Sequence, residues 1–346
     1  MISVIFVKNK TSMRATLLLF ALLFTLSAVK AQKKQNIYLF KNNGKEVSTK
    51  DSADFMRAIQ EPDSGETNFV YLEFFADGKR KTVGKVSAFE PSLVLEGTVI
   101  NFNKAGRRIK VANYEHGMPI GMSYQYFDNG ALHKQVEYVK FTPSLDQMLG
   151  NDPAFASAIL NTGNKLIYLA DSLGTVHVKQ GNGHVVETIS LPVGERREEG
   201  DYKDGLKDGI WTGTENANAI NYTETYQMGK LISGQSTQNG KQYTYTAAVE
   251  PPQFKGGAAA WNTYIKNTLT YPKEAFRNGI QGRVQTSFTI GKDGKVIDVN
   301  ITKSAGPLLD EEAKRILLSS PLWIPGKMRG VPGKVKYAQP FNFRIP

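Results

Sequence analysis

Cysteine is absent from all 346 residues. That excludes disulfides, thiolate nucleophiles, cysteine-ligated metals and the acylated cysteine of a bacterial lipoprotein. Histidine is scarce: His116, His133, His177 and His184 fall in expected strands or turns, without a His-x-x-x-His or Glu-flanked spacing. No metal and no cofactor is therefore expected. The chain also lacks a Gly-x-Ser-x-Gly elbow and a Gly-x-x-x-x-Gly-Lys-Ser/Thr phosphate loop, the usual marks of acyl-transfer and nucleotide chemistry. Asp204 and Asp208 flank Gly205 at a spacing that suggests a calcium loop, but a full loop needs more oxygen ligands and a distal Glu. Both are read as turn residues. With no nucleophile or base to nominate, no enzyme is expected.

Long apolar runs are nearly missing too. Leu17 to Val29 is a run of 13, short of the roughly 20 residues that span a bilayer. Arg14 precedes it and Lys30-Ala31 follows, so residues 1–31 read as a signal peptide cleaved after Ala31, with Met13 a better-formed start than Met1. Export to the periplasm or cell envelope is expected; an inner-membrane anchor, or any membrane association, requires that residues 1–31 be retained. Proline is sparse between Gln32 and Glu250, with six isolated residues, which excludes a polyproline strut. Acids are in deficit at one end only. Of the net charge of +11, residues 1–31 carry four bases and no acid, and residues 251–346 carry 15 bases against 6 acids, leaving −2 for 32–250. No nucleic-acid motif or basic helix accompanies this basic end, so a nucleic-acid partner is not expected and acidic protein surfaces suit it better.

What fills the middle is strand-forming sequence with internal repetition. Phe102, Gly106 and Tyr114 recur as Tyr126, Gly130 and Tyr138, and Gly97 recurs as Gly121, all at a period of 24. Tyr202-Lys203-Asp204-Gly205 and Tyr226-Gln227-Met228-Gly229 repeat at the same period. The pattern resembles MORN-type repeats and reads as a stack of hairpins, each burying an aromatic against its neighbour. Strands are predicted over Leu166–Ala170, Thr175–Lys179 and Val185–Ile189, joined by Asp171 to Gly174 and Gly181 to His184. Asp152 and Pro153 open a short helix to Leu160. The expected organisation is a first repeat block over 32–145, a connector over 146–164, a second block over 165–249 and a separate domain over 250–346.

The last stretch has its own logic. Val284 to Ile290 and Val296 to Ile301 read as a hairpin closed by Gly291 to Lys295. Pro307 to Leu318 reads as a helix whose acids precede its bases, with Leu309, Ala313, Ile316 and Leu317 on one face. Ala258 to Thr268 is a second amphipathic helix, after the break at Pro251-Pro252. Lys334 to Phe343 is a final strand with Val335, Tyr337, Phe341 and Phe343 on one side, edge-placed or bent at Pro340. Tyr271-Pro272 admits two readings, a helix start or a partner contact.

Pro252 to Pro346 resembles the C-terminal domain of the TonB family. The Pro252-Gln253-Phe254-Lys255-Gly256-Gly257 lead-in, Tyr271-Pro272 with Ala275, Gly279 and Gly282, the Lys-Asp-Gly-Lys-Val turn, Leu309 to Ala313, Trp323 with Pro325-Gly326, and Phe341-Asn342-Phe343 carry the likeness. The resemblance implies a small domain of antiparallel strands and helices, which after the β-rich meander makes the expected fold class α+β. It also implies a partner: a segment of an outer-membrane transporter or receptor, added as a strand. Tyr271, Pro272, Lys334, Val335, Lys336, Tyr337, Ala338 and Gln339 are the expected contacts. Two departures from the family's transducers, the cleavable-looking signal and the missing proline strut, argue for docking rather than direct force transmission. The alternative is a structural or adhesive envelope protein whose repeats bind a surface; a homo-oligomer is left open.

Overall fold

The computed structural model describes residues 34–90, 92–139, 164–191 and 194–345. The signal peptide expected at residues 1–31, the helix expected at Pro153–Leu160 and all but the last residue of the expected connector lie outside them. The chain divides into two compact units, Met1–Lys140 with Tyr168–Val176, and Phe141–Ile167 with His177–Pro346.

The first unit is an antiparallel meander. Its strands are β1 (Gln35–Phe40), β2 (Glu46–Val47), β3 (Phe55–Gln60), β4 (Phe69–Phe75) and β5 (Arg80–Ala88). They continue as β6 (Val94–Phe102), β7 (Arg108–Glu115), β8 (Met118–Tyr126) and β9 (Leu132–Tyr138). β1 pairs with both β2 and β3, and from β3 to β9 each strand pairs with the next. Strand alternation places Ile59, Tyr71 and Val86 in one core with Tyr38, Phe69, Phe89, Leu93 and Leu95. Glu73 is buried among them, held by Arg57 at 2.8 Å, Lys81 at 2.9 Å and the Thr82 hydroxyl at 2.9 Å.

Downstream come β10 (Lys165–Ala170), β11 (Val176–Lys179), β12 (Asn182–Ser190) and β13 (Glu195–Lys203). β14 (Leu206–Glu215), β15 (Ile220–Gln227), β16 (Lys230–Gln238) and β17 (Lys241–Tyr245) follow. From β11 to β17 this is a second meander of consecutive antiparallel pairs. The 24-residue period here is the distance between equivalent turns. Gln180-Gly181, Asp204-Gly205 and Met228-Gly229 each place two successive residues at positive φ. They close two-residue hairpins between Lys179 and Asn182, Lys203 and Leu206, and Gln227 and Lys230. The turns stack: Gly205 N–H donates to Gly181 O, and Gly229 N–H to Lys207 O, each at 2.8 Å. This corrects the turn expected over Gly181 to His184. Because Gln180 and Gly181 complete the reversal, Asn182, Gly183 and His184 already belong to β12. Asp204 is itself a turn residue, and Asp208 accepts the Met228 N–H at 2.9 Å.

The C-terminal part of the second unit is compactly mixed. It contains β18 (Val249–Glu250), α1 (Gly257–Thr268), α2 (Lys273–Arg277), β19 (Gly282–Ile290), β20 (Val296–Lys303) and α3 (Pro307–Leu318). It ends with β21 (Lys327–Met328), β22 (Val331–Pro332) and β23 (Val335–Phe343). One sheet has the order β20-β19-β23 and a smaller one β18-β21-β22. Leu309, Ala313, Ile316 and Leu317 of α3 are buried with Val284, Phe288, Ile290, Phe341 and Phe343 of the larger sheet. The fold is α+β. Among the described residues, no helix is long and apolar enough to cross a membrane.

Candidate functional site: the edge of the last strand

The three-stranded sheet has two edges of unequal quality. β20 pairs with β19 through two register shifts, and Asp298 within it adopts φ 52°. Such irregularity bends an edge and spoils it as a template. β23 instead pairs with β19 at nine consecutive positions from Gly282↔Phe343 to Ile290↔Val335, without a shift. Among the described residues, no backbone–backbone hydrogen bond joins β23 to anything other than β19. Its outer edge has no partner strand among the described residues, although Pro340 offers no N–H there and its carbonyl already accepts Gln339 Nε2.

Side chains along β23 divide cleanly. Val335, Phe341 and Phe343 are buried and Tyr337 is half-buried on the same side, whereas Lys336, Pro340 and Asn342 are exposed on the other. Tyr337 packs in an aromatic cluster, its ring centre 5.7 Å from that of Trp323 and 6.0 Å from that of Phe288, and its hydroxyl donates to Pro252 O at 3.1 Å. Burial pushes this phenol up to about 12. Ala338 and Gln339 are half-buried; Gln339 Oε1 accepts Trp261 Nε1–H from α1 at 2.9 Å, and its Nε2 donates to Pro340 O at 2.8 Å. Lys334, expected as the first strand residue, lies just outside β23 and is exposed. The reason is local: Gly333 and Lys334 carry the chain out of the β21–β22 hairpin before pairing with β19 resumes at Val335.

Tyr271 and Pro272 do not join Lys334 to Tyr337. Tyr271 packs edge-on against Phe343 at 5.8 Å, at the opposite end of β23, and donates to Ile280 O at 2.6 Å. Pro272 caps α2, with φ −60° and ψ 125°. Sequence reasoning missed two side-chain ties within this domain. One is the Trp261–Gln339 bond. The other is Glu312, which accepts the Thr270 N–H at 2.7 Å and both arms of the Arg315 fork at 2.7 Å. An acid in the first turns of a predicted helix was visible, but its distant partner was not.

The family model described as Gram-negative bacterial TonB protein C-terminal matches residues 267–345. This stretch is a TonB C-terminal domain. In three dimensions its core reaches further upstream than the match, since Phe254, Trp261 and Tyr264 pack with Trp323. TonB C-terminal domains are non-enzymatic components of envelope energy transduction, and they interact with outer-membrane TonB-dependent receptors. No curated protein matches the chain.

Proposed function

We propose that the protein binds an extended segment of an outer-membrane transporter or receptor along β23, on the periplasmic side, and so serves or modulates transport across that membrane. The observation that supports this reading is the unbroken nine-residue register of β23 on one side and the lack of a partner strand on the other among the described residues. Backbone bonds alone contribute about 1 kcal/mol net each, so a short added strand barely meets the roughly 4–15 kcal/mol cost of association. The outward residues Lys336, Pro340 and Asn342 therefore have to supply much of the affinity and the choice of partner. The excess of bases in residues 251–346 favours a segment that carries acids. The missing proline strut argues for docking rather than for a pulling rod.

Hydrogen–deuterium exchange on the full chain, with and without the periplasmic segment of a TonB-dependent receptor, tests the reading. Slowed exchange confined to β23, weakened by K336E, is the expected result. Protection that appears in the meanders and leaves β23 unchanged would discard it.

A further inference from the structure

Away from β23, the densest group of ionisable side chains lies on the inner face of the second meander. Glu198 of β13, Glu215 of β14 and Glu224 of β15 are 5%, 4% and 0% exposed. Three cations answer them. Lys207 Nζ lies 2.9 Å from Glu198 Oε1, and Arg196 Nη1 lies 3.7 Å from Glu215 Oε1. Arg329 provides the third: Nε is 3.0 Å from Glu224 Oε1, and Nη1 donates to Glu215 Oε1.

The first two cations belong to the meander itself, whereas Arg329 comes from the TonB C-terminal domain. It is the tip of the β21–β22 hairpin, where Arg329 and Gly330 adopt φ 50° and 75°. Its guanidinium carbon sits 3.7 Å from the centre of the Tyr222 ring, and the residue is 3% exposed. Ser236 Oγ donates to Arg329 O at 2.7 Å, and Val331 packs against Ile220, Tyr222 and Tyr243.

The meander supplies phenol donors of its own to these carboxylates. Tyr226 and Tyr245 each donate a phenol to Glu224 at 2.9 Å, and Tyr222 donates to Glu198 at 3.2 Å. What the meander cannot supply is charge balance, since its three buried carboxylates meet only two of its own cations. The first meander shows the contrast: buried Glu73 is satisfied by Arg57 and Lys81 from adjacent strands. Removing the cation from a buried ion pair is strongly destabilising, even where neutral donors remain. Arg329 supplies the third cation that the meander's own residues do not.

We propose that the inner face of the second meander is a guanidinium receptor, filled in cis by Arg329, and that this plug fastens the TonB C-terminal domain to the meander. The inference stands whether or not β23 accepts a receptor strand. A planar fork that spans two carboxylates while stacked on an aromatic ring selects arginine over lysine.

Chemical rescue of the full chain tests it. In R329G the backbone keeps its turn, because glycine adopts positive φ without strain, and only the side chain is lost. The melting temperature is expected to fall by roughly 10 °C. Guanidinium chloride at about 20 mM, far below denaturing levels, is expected to recover several degrees relative to equal sodium chloride, and to leave the unsubstituted protein unchanged. An unchanged melting temperature in R329G, or a loss that guanidinium restores no better than sodium, overturns the proposal. Should R329G yield no folded protein, R329K decides: its ammonium cannot bridge Glu215 and Glu224, so a melting temperature equal to that of the unsubstituted protein overturns it as well.

Discussion

Glycine and tyrosine form cross-strand pairs in the second meander for a steric reason. Gly213 faces Tyr222 and Gly234 faces Tyr245 in the ladder. A Cβ added at Gly234 would lie 2.2 Å from the Tyr245 ring, and one at Gly213 would lie 2.2 Å from the Tyr222 hydroxyl. The ring occupies the space that a side chain would take, and its phenol then reaches the buried glutamates. G234A is expected to cost about 1–3 kcal/mol by overpacking, read as a lower urea midpoint. The glutamates give a second prediction. Burial pushes the Glu73 and Glu198 carboxyls up, but Lys81 and Arg57 for the first, and Lys207 and Arg196 for the second, outweigh it and hold both below the usual carboxylate range. A folded-state value below the unfolded one means that the stabilisation is complete above about pH 4.3, the unfolded value. It is lost as pH falls through the folded value. Melting temperatures should therefore decline steeply in acid, and E73Q should flatten part of that decline; an equal slope in E73Q would contradict the assignment. In the sequence Glu73 stands among aromatics and Glu198 among charged residues, and neither is marked there as buried. Their burial depends on cations contributed by other strands and, for Glu224, by a hairpin more than a hundred positions away.

At the scale of elements, strands and helices whose cause is local were legible. Helix α3 spans the Pro307 to Leu318 stretch read from its proline start, its acid-to-base order and its apolar spacing. The β19–β20 hairpin forms around Gly291 to Lys295, where Gly291 N–H donates to Lys295 O at 2.8 Å. The two-residue turns after β11, β13 and β15 were harder to place, because Gln180 and Met228 are not turn formers by type; stacking on neighbouring hairpins holds them at positive φ. Which edge of the small sheet stays regular was not legible either, since the bulges of β20 arise from its pairing with β19. The link between the α1–α2 connection and α3 gives a prediction at this scale. Glu312 is buried and holds the Thr270 N–H, so E312A should cost about 1–3 kcal/mol by leaving that donor and the Arg315 fork without their acceptor. Faster amide exchange at Thr270, together with a lower urea midpoint, would register it.

For the whole molecule, charge is distributed by region: 15 bases against 6 acids in residues 251–346, and a small acidic excess over 32–250. Lys334 and Lys336 stand exposed beside and within β23, with no ion pair among the described residues. Capture of an acidic receptor segment should weaken as sodium chloride rises from about 50 to 500 mM, because exposed charges are screened over the Debye length. Salt-independent capture would point to a purely backbone and apolar contact. By itself the sequence determined the strands and helices of the α+β class, the hairpin periodicity and the basic C-terminal end, because turn chemistry, strand alternation and helix capping act over a few residues; the likeness to TonB C-terminal domains rested on its motifs. Only the tertiary structure decided that β23 is an edge strand in regular register, that Tyr271 packs at its far end, and that Arg329 completes the charge of the second meander. Those depend on which distant strands meet, and on a buried carboxylate's need for a cation wherever along the chain it is found.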